Sequence, residues 1–232
     1  MTDMPDVSEA SARPATFHEP ATPDQDRPRV VCIVPVGTLE GAKSRLGGAL
    51  DAEERHDLAA RMVERTVAAA VRTPGIVEVI VVTPDDEVRA IALDAGGRPL
   101  RQRSRGLNGG LREAREDAIA GGADAVLVLP VDLPLVTPDA IADVVAPHTR
   151  FGPPIVVIVP DRHGRGTNGL LVAPPDAIEF AFGGDSREAH AASAAAAGAR
   201  LVELGGPLAI DLDTPDDLLL VQELAPETAD AH

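Results

Sequence analysis

Apolar residues follow two rhythms along this chain. Unbroken runs, VVCIVPV (30–36), VEVIVVT (77–83), AVLVLPVD (125–132) and IVVIVP (155–160), alternate with stretches in which apolar positions recur every third or fourth residue. The runs predict strands covered on both faces, and the slower rhythm predicts helices laid over them. Asp51 opens the first helix, with Glu54 as its capping-box partner and Leu58, Met62, Thr66 and Ala70 on one face. Thr73-Pro74-Gly75 stops it. Pro84-Asp85-Asp86 begins a short helix that ends at Gly96-Gly97, a weak strand follows near Pro99 to Gln102, and 109–121 reads as helix. Thr137-Pro138 is an N-cap followed by a first-turn proline. NGLLVA (168–173) and a helical stretch near 186–198 lead into LAIDLDT (208–214), read as an extended strand, and Thr214-Pro215-Asp216 starts the last helix. Strands alternating with helices predict an α/β fold around a mostly parallel, mixed sheet. Residues 1–28 hold five prolines and no hydrophobic period, so they are expected to be a disordered tail. Residues 226–232 are expected to fray too, leaving one domain over 29–225.

Composition narrows the function. Aromatic residues make up 2% of the 232 residues, with no Trp or Tyr, which argues against a nucleic-acid binder that stacks bases on aromatic rings. The net charge of −16 repels nucleic acid and anionic membranes. It leaves room for a phosphate ligand in a cleft where basic residues or a metal reverse the local field. The single cysteine, Cys32, excludes an internal disulfide and reads as a small buried residue in the first strand. The N-terminus has no apolar core of a signal peptide, and no apolar run approaches a bilayer span. A cytoplasmic protein is expected.

In sheets of this class, ligands bind beyond the carboxyl ends of the strands. After the first strand comes Gly37-Thr38-Leu39-Glu40-Gly41-Ala42-Lys43-Ser44-Arg45, glycine-bearing and basic but not spaced as a P-loop. A solvated turn with exposed cations reads the same way. Asp132 follows an apolar run, where an unpaired carboxylate would be costly and a divalent cation would satisfy it. Asp211 and Asp213 lie two apart in an extended segment, so both face one side. Like charges held close need a cation or a proton. Asp213 is also placed to cap the helix after it. Together the three carboxylates suggest a Mg²⁺ site if the strand ends converge. Asn108, in Gly106-Leu107-Asn108, reads as a ligand contact or as an N-cap. The basic loop Arg162 to Asn168 and the segment Phe182 to Ser186 supply amides and hydroxyls for an anion. None of the six histidines is assigned a role.

The ordered set Pro35-Val36, Ala42-Lys43-Ser44-Arg45-Leu46, Gly106-Leu107-Asn108, Pro130-Val131-Asp132-Leu133-Pro134, Gly166-Thr167-Asn168, Phe182-Gly183 and Asp211-Leu212-Asp213-Thr214-Pro215 resembles one family. It is that of the 2-phospholactate or phosphoenolpyruvate guanylyltransferases of coenzyme F-420 biosynthesis. The resemblance covers about 30–225. It implies a nucleotidyltransferase-type three-layer α/β sandwich, GTP and a phosphorylated three-carbon acid as substrates, Mg²⁺ as cofactor, and pyrophosphate as by-product. Lys43 and Arg45 match the loop that handles the triphosphate. Pro35, Val36, Thr83, Gly106 and Asn108 match the nucleotide site. Asp132, Asp211 and Asp213 match the metal carboxylates, and Thr167, Gly183 and Ser186 match the acceptor site. Gly37 departs from the pattern, which favours a lysine there. The alanine- and arginine-rich composition suggests a GC-rich bacterium, where the resemblance implies phosphoenolpyruvate as the first choice of acceptor. No nucleic-acid or membrane partner is expected, and a homodimer is an open possibility. The rival readings are transfer to a sugar phosphate or molybdopterin, and a nucleotide-binding domain without catalysis.

Overall fold

The computed structural model describes residues 28–224, and the two expected tails otherwise fall outside the described residues. Among these described residues, seven strands form one sheet in the order β3-β2-β1-β4-β6-β5-β7. They are β1 (Val30–Pro35), β2 (Ile76–Thr83), β3 (Arg98–Arg101), β4 (Ala125–Val128), β5 (Ile155–Pro160), β6 (Thr167–Ala173) and β7 (Arg200–Glu203). Only β6 runs against its neighbours, β4 and β5; the other pairings are parallel. Among the described residues six α-helices complete the layers: α1 (Ala52–Val71), α2 (Asp86–Asp94), α3 (Leu107–Ala120), α4 (Pro138–Phe151), α5 (Ser186–Ala196) and α6 (Pro215–Leu224).

Alternation along the central strands divides the core in two. Val30, Cys32 and Val34 of β1 face the layer made by Val63 and Val67 of α1, Val88 of α2 and Ile141 of α4. Val31 and Ile33 face Leu111 and Ala118 of α3 and Ala194 of α5. Branched aliphatics fill the pleated surface well, which is how the sheet is covered with almost no aromatic residues. Cys32 is buried and its thiol is pushed up to about 12, so it is inert packing. Asp51 caps α1 through the backbone N–H of Glu53 and Glu54, with Glu54 returning the bond, as its sequence predicts. Thr137 caps α4. Among the described residues no helix is long and apolar enough to cross a membrane.

Two strand expectations are corrected. The third run was expected to remain a strand to Asp132, but β4 pairs only as far as Val128. The N–H of Leu129 still reaches the carbonyl of Ile33 at 3.0 Å; Pro130 then has no N–H to donate, and the ladder stops. LAIDLDT is not a strand. Pro207–Ala209 form a 3-10 turn, and the chain beyond it touches the neighbouring loop by one bond, from the N–H of Leu212 to the carbonyl of Asp132 at 2.9 Å. The edge position beside β5 belongs instead to β7, a short and largely exposed strand after the alanine-rich α5.

Candidate active site

Sheet order brings the predicted residues to one edge. Thr83 ends β2, the basic turn leaves β1, Asp132 follows β4, and Thr167 begins β6. Because β6 is reversed, its first residue lies at the edge where its neighbours finish, and Thr167 pairs with Pro160 at the end of β5.

Lys43 is the hub of the acidic group. It sits in the left-handed region (φ 52°, ψ 33°) at the start of a 3-10 turn, which aims its side chain inward. Its ammonium donates to the carbonyl of Leu212 at 2.7 Å and to Asp213 Oδ1 at 3.1 Å. It stands 3.7 Å from Asp132 Oδ2, and Arg45 Nη1 is 3.7 Å from Asp213 Oδ2. The basic turn, the loop after β4 and the segment before α6 thus converge as the sequence required. Leu212, between the two aspartates, is buried on the other side.

The cap of α6 resolves the two readings of Asp213. Asp217 Oδ2 accepts from the N–H of Asp213 at 2.9 Å and from the N–H and hydroxyl of Thr214 at 2.7 and 2.9 Å. Asp217 also pairs with Arg162. The helix start is therefore held by Thr214 and Asp217, leaving the Asp213 carboxylate to Lys43 and Arg45.

The carboxylates are crowded. Burial pushes the Asp132 carboxyl up, Lys43 pulls it down, and Asp213 and Asp211 push it up again, so it rests above the usual carboxylate range. Burial raises Asp211 as well, with Asp213, Asp217 and Asp161 adding repulsion. Among the described residues no three acidic, histidine or cysteine side chains form a ready-made metal cage. What is present is an oxygen donor set with one internal cation. That fits a magnesium ion held by one or two carboxylates together with substrate phosphates, which is its usual manner of binding.

The residues matched to the nucleotide site divide into struts and open positions. Val36 is buried and bonds β2 through the carbonyl of Val82 at 3.0 Å, extending the pairing past Pro35. Thr83 is buried; its hydroxyl donates to the carbonyl of Gly37 at 3.4 Å and accepts from the N–H of Asp85 at 3.1 Å. Asp85 in turn accepts from the N–H of Leu39 at 3.0 Å, so Thr83 and Asp85 fix the path of the basic turn. A side chain at Gly37 would meet nothing within 4 Å, so packing does not require glycine there. Gly106 (φ 76°) takes a conformation that suits glycine just before α3. Asn108 lies inside α3 and does not cap it. Its amide accepts from the N–H of Phe182 and donates to the carbonyl of Phe182, both at 2.9 Å. That clamp ties α3 to the segment carrying Gly183.

Thr167 and Ser186 meet deep in the fold. Ser186 Oγ lies 3.2 Å from Thr167 Oγ1, and His190 Nδ1 lies 3.2 Å from the same oxygen. His190 Nε2 accepts from the N–H of Ala181 at 3.0 Å, and the ring meets Phe182 edge-on at 4.9 Å. No role was read for His190 in the sequence. The available signal was its spacing, four residues after Ser186 on one face of α5. The hairpin turn between β5 and β6 borders both groups: its Arg162 reaches Asp217, and its Arg165 donates to Asp185 at 2.9 Å, next to Ser186.

Burial lowers the His190 imidazole from 6.5 to about 4. The unfolded chain therefore binds a proton at a pH where the folded one does not. The stability this contributes is fully present above pH 6.5 and is lost as pH falls through about 4. The loss is on the order of 3 kcal/mol. Thermal unfolding followed between these limits is expected to show a falling midpoint, with a shallower fall in His190→Gln. Equal slopes would refute it. His148, also lowered by burial, accounts for acid sensitivity that remains.

Comparison with known proteins fits this geometry. The family model described as "Guanylyl transferase CofC like" matches residues 30–224. The chain belongs to this family. A phosphoenolpyruvate guanylyltransferase from Rubrobacter xylanophilus is 44% identical over 191 residues, covering 82% of this chain and 91% of that protein. Another, from Sphaerobacter thermophilus, is 41% identical over 196 residues, covering 84% and 92%. Among solved structures, a nucleotidyl transferase from Methanothermobacter superposes with a TM-score of 0.60 at 18% identity, covering 86% of this chain and 99% of that one. At that identity the likeness establishes the fold, the nucleotidyltransferase-type sandwich expected of the CofC-like family.

Proposed function

We propose that this CofC-like chain joins GMP from GTP to phosphoenolpyruvate, releasing pyrophosphate, as a step in coenzyme F-420 biosynthesis. The observation that carries the reading is Lys43, held 3.1 and 3.7 Å from Asp213 and Asp132 at the carboxyl edge of the sheet. Relatives of this family named for the same reaction support it.

In the proposed reaction, a phosphate oxygen of the acid bonds to the α-phosphorus of GTP. The bond from that phosphorus to the bridging oxygen of the β-phosphate breaks, and pyrophosphate leaves with the electron pair. No protein nucleophile is needed. Lys43 and Arg45 offset charge on the triphosphate, and catalysis is chiefly positioning and neutralisation. Asp132, with Asp213 or Asp211, would hold magnesium. The bound ion supplies positive charge to the phosphoryl oxygens. Thr167, Ser186 and the amides near Gly183 would hold the acid's anionic groups beside that centre.

The test offers phosphoenolpyruvate, 2-phospholactate and 3-phosphoglycerate in parallel with GTP and magnesium, measuring pyrophosphate and product mass. Phosphoenolpyruvate is expected to give the guanosine diphosphate adduct at the highest rate. Pyrophosphate release with none of the acids, or faster turnover with CTP, would overturn the reading.

A further inference from the structure

We propose that His190 is a positioning residue that polarises the Thr167–Ser186 hydroxyl pair, making it a donor site for an anionic oxygen of the acceptor acid. The inference rests on the proposed function and deepens it.

Proton counting carries it. A backbone N–H can only donate, so Nε2, which takes the N–H of Ala181 at 3.0 Å, bears no hydrogen. The single proton of the neutral ring is then on Nδ1 and points to Thr167 Oγ1 at 3.2 Å. Two hydroxyl protons remain, and the 3.2 Å bond between Ser186 and Thr167 uses one of them. Whichever hydroxyl donates in that bond, the other proton has no acceptor among the described residues. Nδ1 carries its own proton and Nε2 is taken by the N–H of Ala181, so the ring offers that remaining proton no acceptor. The pair therefore faces its ligand as a donor. Carboxylate and phosphate oxygens suit it.

The same ring fixes where the donor points. His190 is fully buried, and Thr167 and Ser186 are 6% and 1% exposed, so packing holds the ring and both hydroxyls in place and leaves Thr167 the more open of the two. Ala181 precedes Phe182, whose backbone is clamped on both sides by Asn108. The imidazole thus links Thr167 on β6 to the segment that carries Gly183.

Two variants separate positioning from packing. His190→Phe keeps a ring beside Phe182 but removes both nitrogens. His190→Gln restores an acceptor and a donor on one planar group. In His190→Phe the KM for phosphoenolpyruvate is expected to rise about tenfold or more, while kcat and the KM for GTP stay within about twofold. His190→Gln is expected to recover most of that rise. Should the acid KM of His190→Phe equal that of the parent, or rise in step with the KM for GTP, the inference fails. A parent enzyme inactive with every acid would instead sink the function reading. If His190→Phe does not fold, nitrogen-15 correlation spectra of the parent imidazole decide the matter. A protonated Nδ1 with bare Nε2, moving when phosphoenolpyruvate is added, is expected. A protonated Nε2, or a ring signal indifferent to the acid, would overturn it.

Discussion

Replacing Asp132 with asparagine is expected to lower kcat for pyrophosphate release by roughly a hundred- to a thousandfold while leaving the fold as stable as before, or more so. The loss follows from removing an anionic anchor for the metal that neutralises the transferring phosphoryl group, an effect of this order where one stabilising group is deleted. The stability half follows from sign. Burial and the neighbouring aspartates hold the Asp132 carboxyl above its usual range. A group raised in this way favours the folded state at low pH, and the benefit fades as pH climbs through the raised value. Above that raised value the ionised carboxylate is a burden that asparagine removes. Stopped assays of pyrophosphate, with thermal unfolding of the same preparation, check both halves. Activity equal to the parent would remove Asp132 from the mechanism.

Lys43→Met should show the opposite stability signature. Its ammonium is the cation shared by Asp132 and Asp213, and its side chain is only 11% exposed. Without it the two carboxylates repel with the exposed Arg45 left beside Asp213, so the unfolding midpoint is expected to fall. The kcat/KM for GTP is expected to drop roughly a hundred- to a thousandfold. The double variant Lys43→Met with Asp132→Asn should regain much of the lost stability and none of the activity, because the two side chains act on one another. A double variant whose midpoint is the sum of the single changes would mean that they do not interact in solution.

Much of this was legible in the chain. VVCIVPV and IVVIVP announced buried strands because runs without polar breaks suit little else at that length, and both proved so. Asp51 with Glu54 and Thr137 with Pro138 named two helix starts through local chemistry alone. The meeting of Lys43, Asp132 and Asp213 was anticipated from the strand-end rule and the family likeness. Three features escaped. Pro130 closes β4 early, which the apolar run concealed, since hydrophobicity persists where hydrogen bonding cannot. β7 is short and mostly exposed, so Arg200 to Glu203 carries little of the burial that marks a strand. His190 was hidden because its partners, Ala181 and Thr167, are 9 and 23 residues away, and only the fold brings them together.

The reversed strand β6 has a consequence for engineering this scaffold. Thr167 opens that strand directly after the six-residue reversal 161–166, where the register against β5 shifts by one: Pro160 pairs with Thr167 and Val159 with Gly169. Adding or deleting a single residue in the reversal would move or erase that extra residue at Asn168 and re-aim Thr167. Libraries meant to alter acid preference are better built in the stretch before α5, where a length change leaves strand phase untouched.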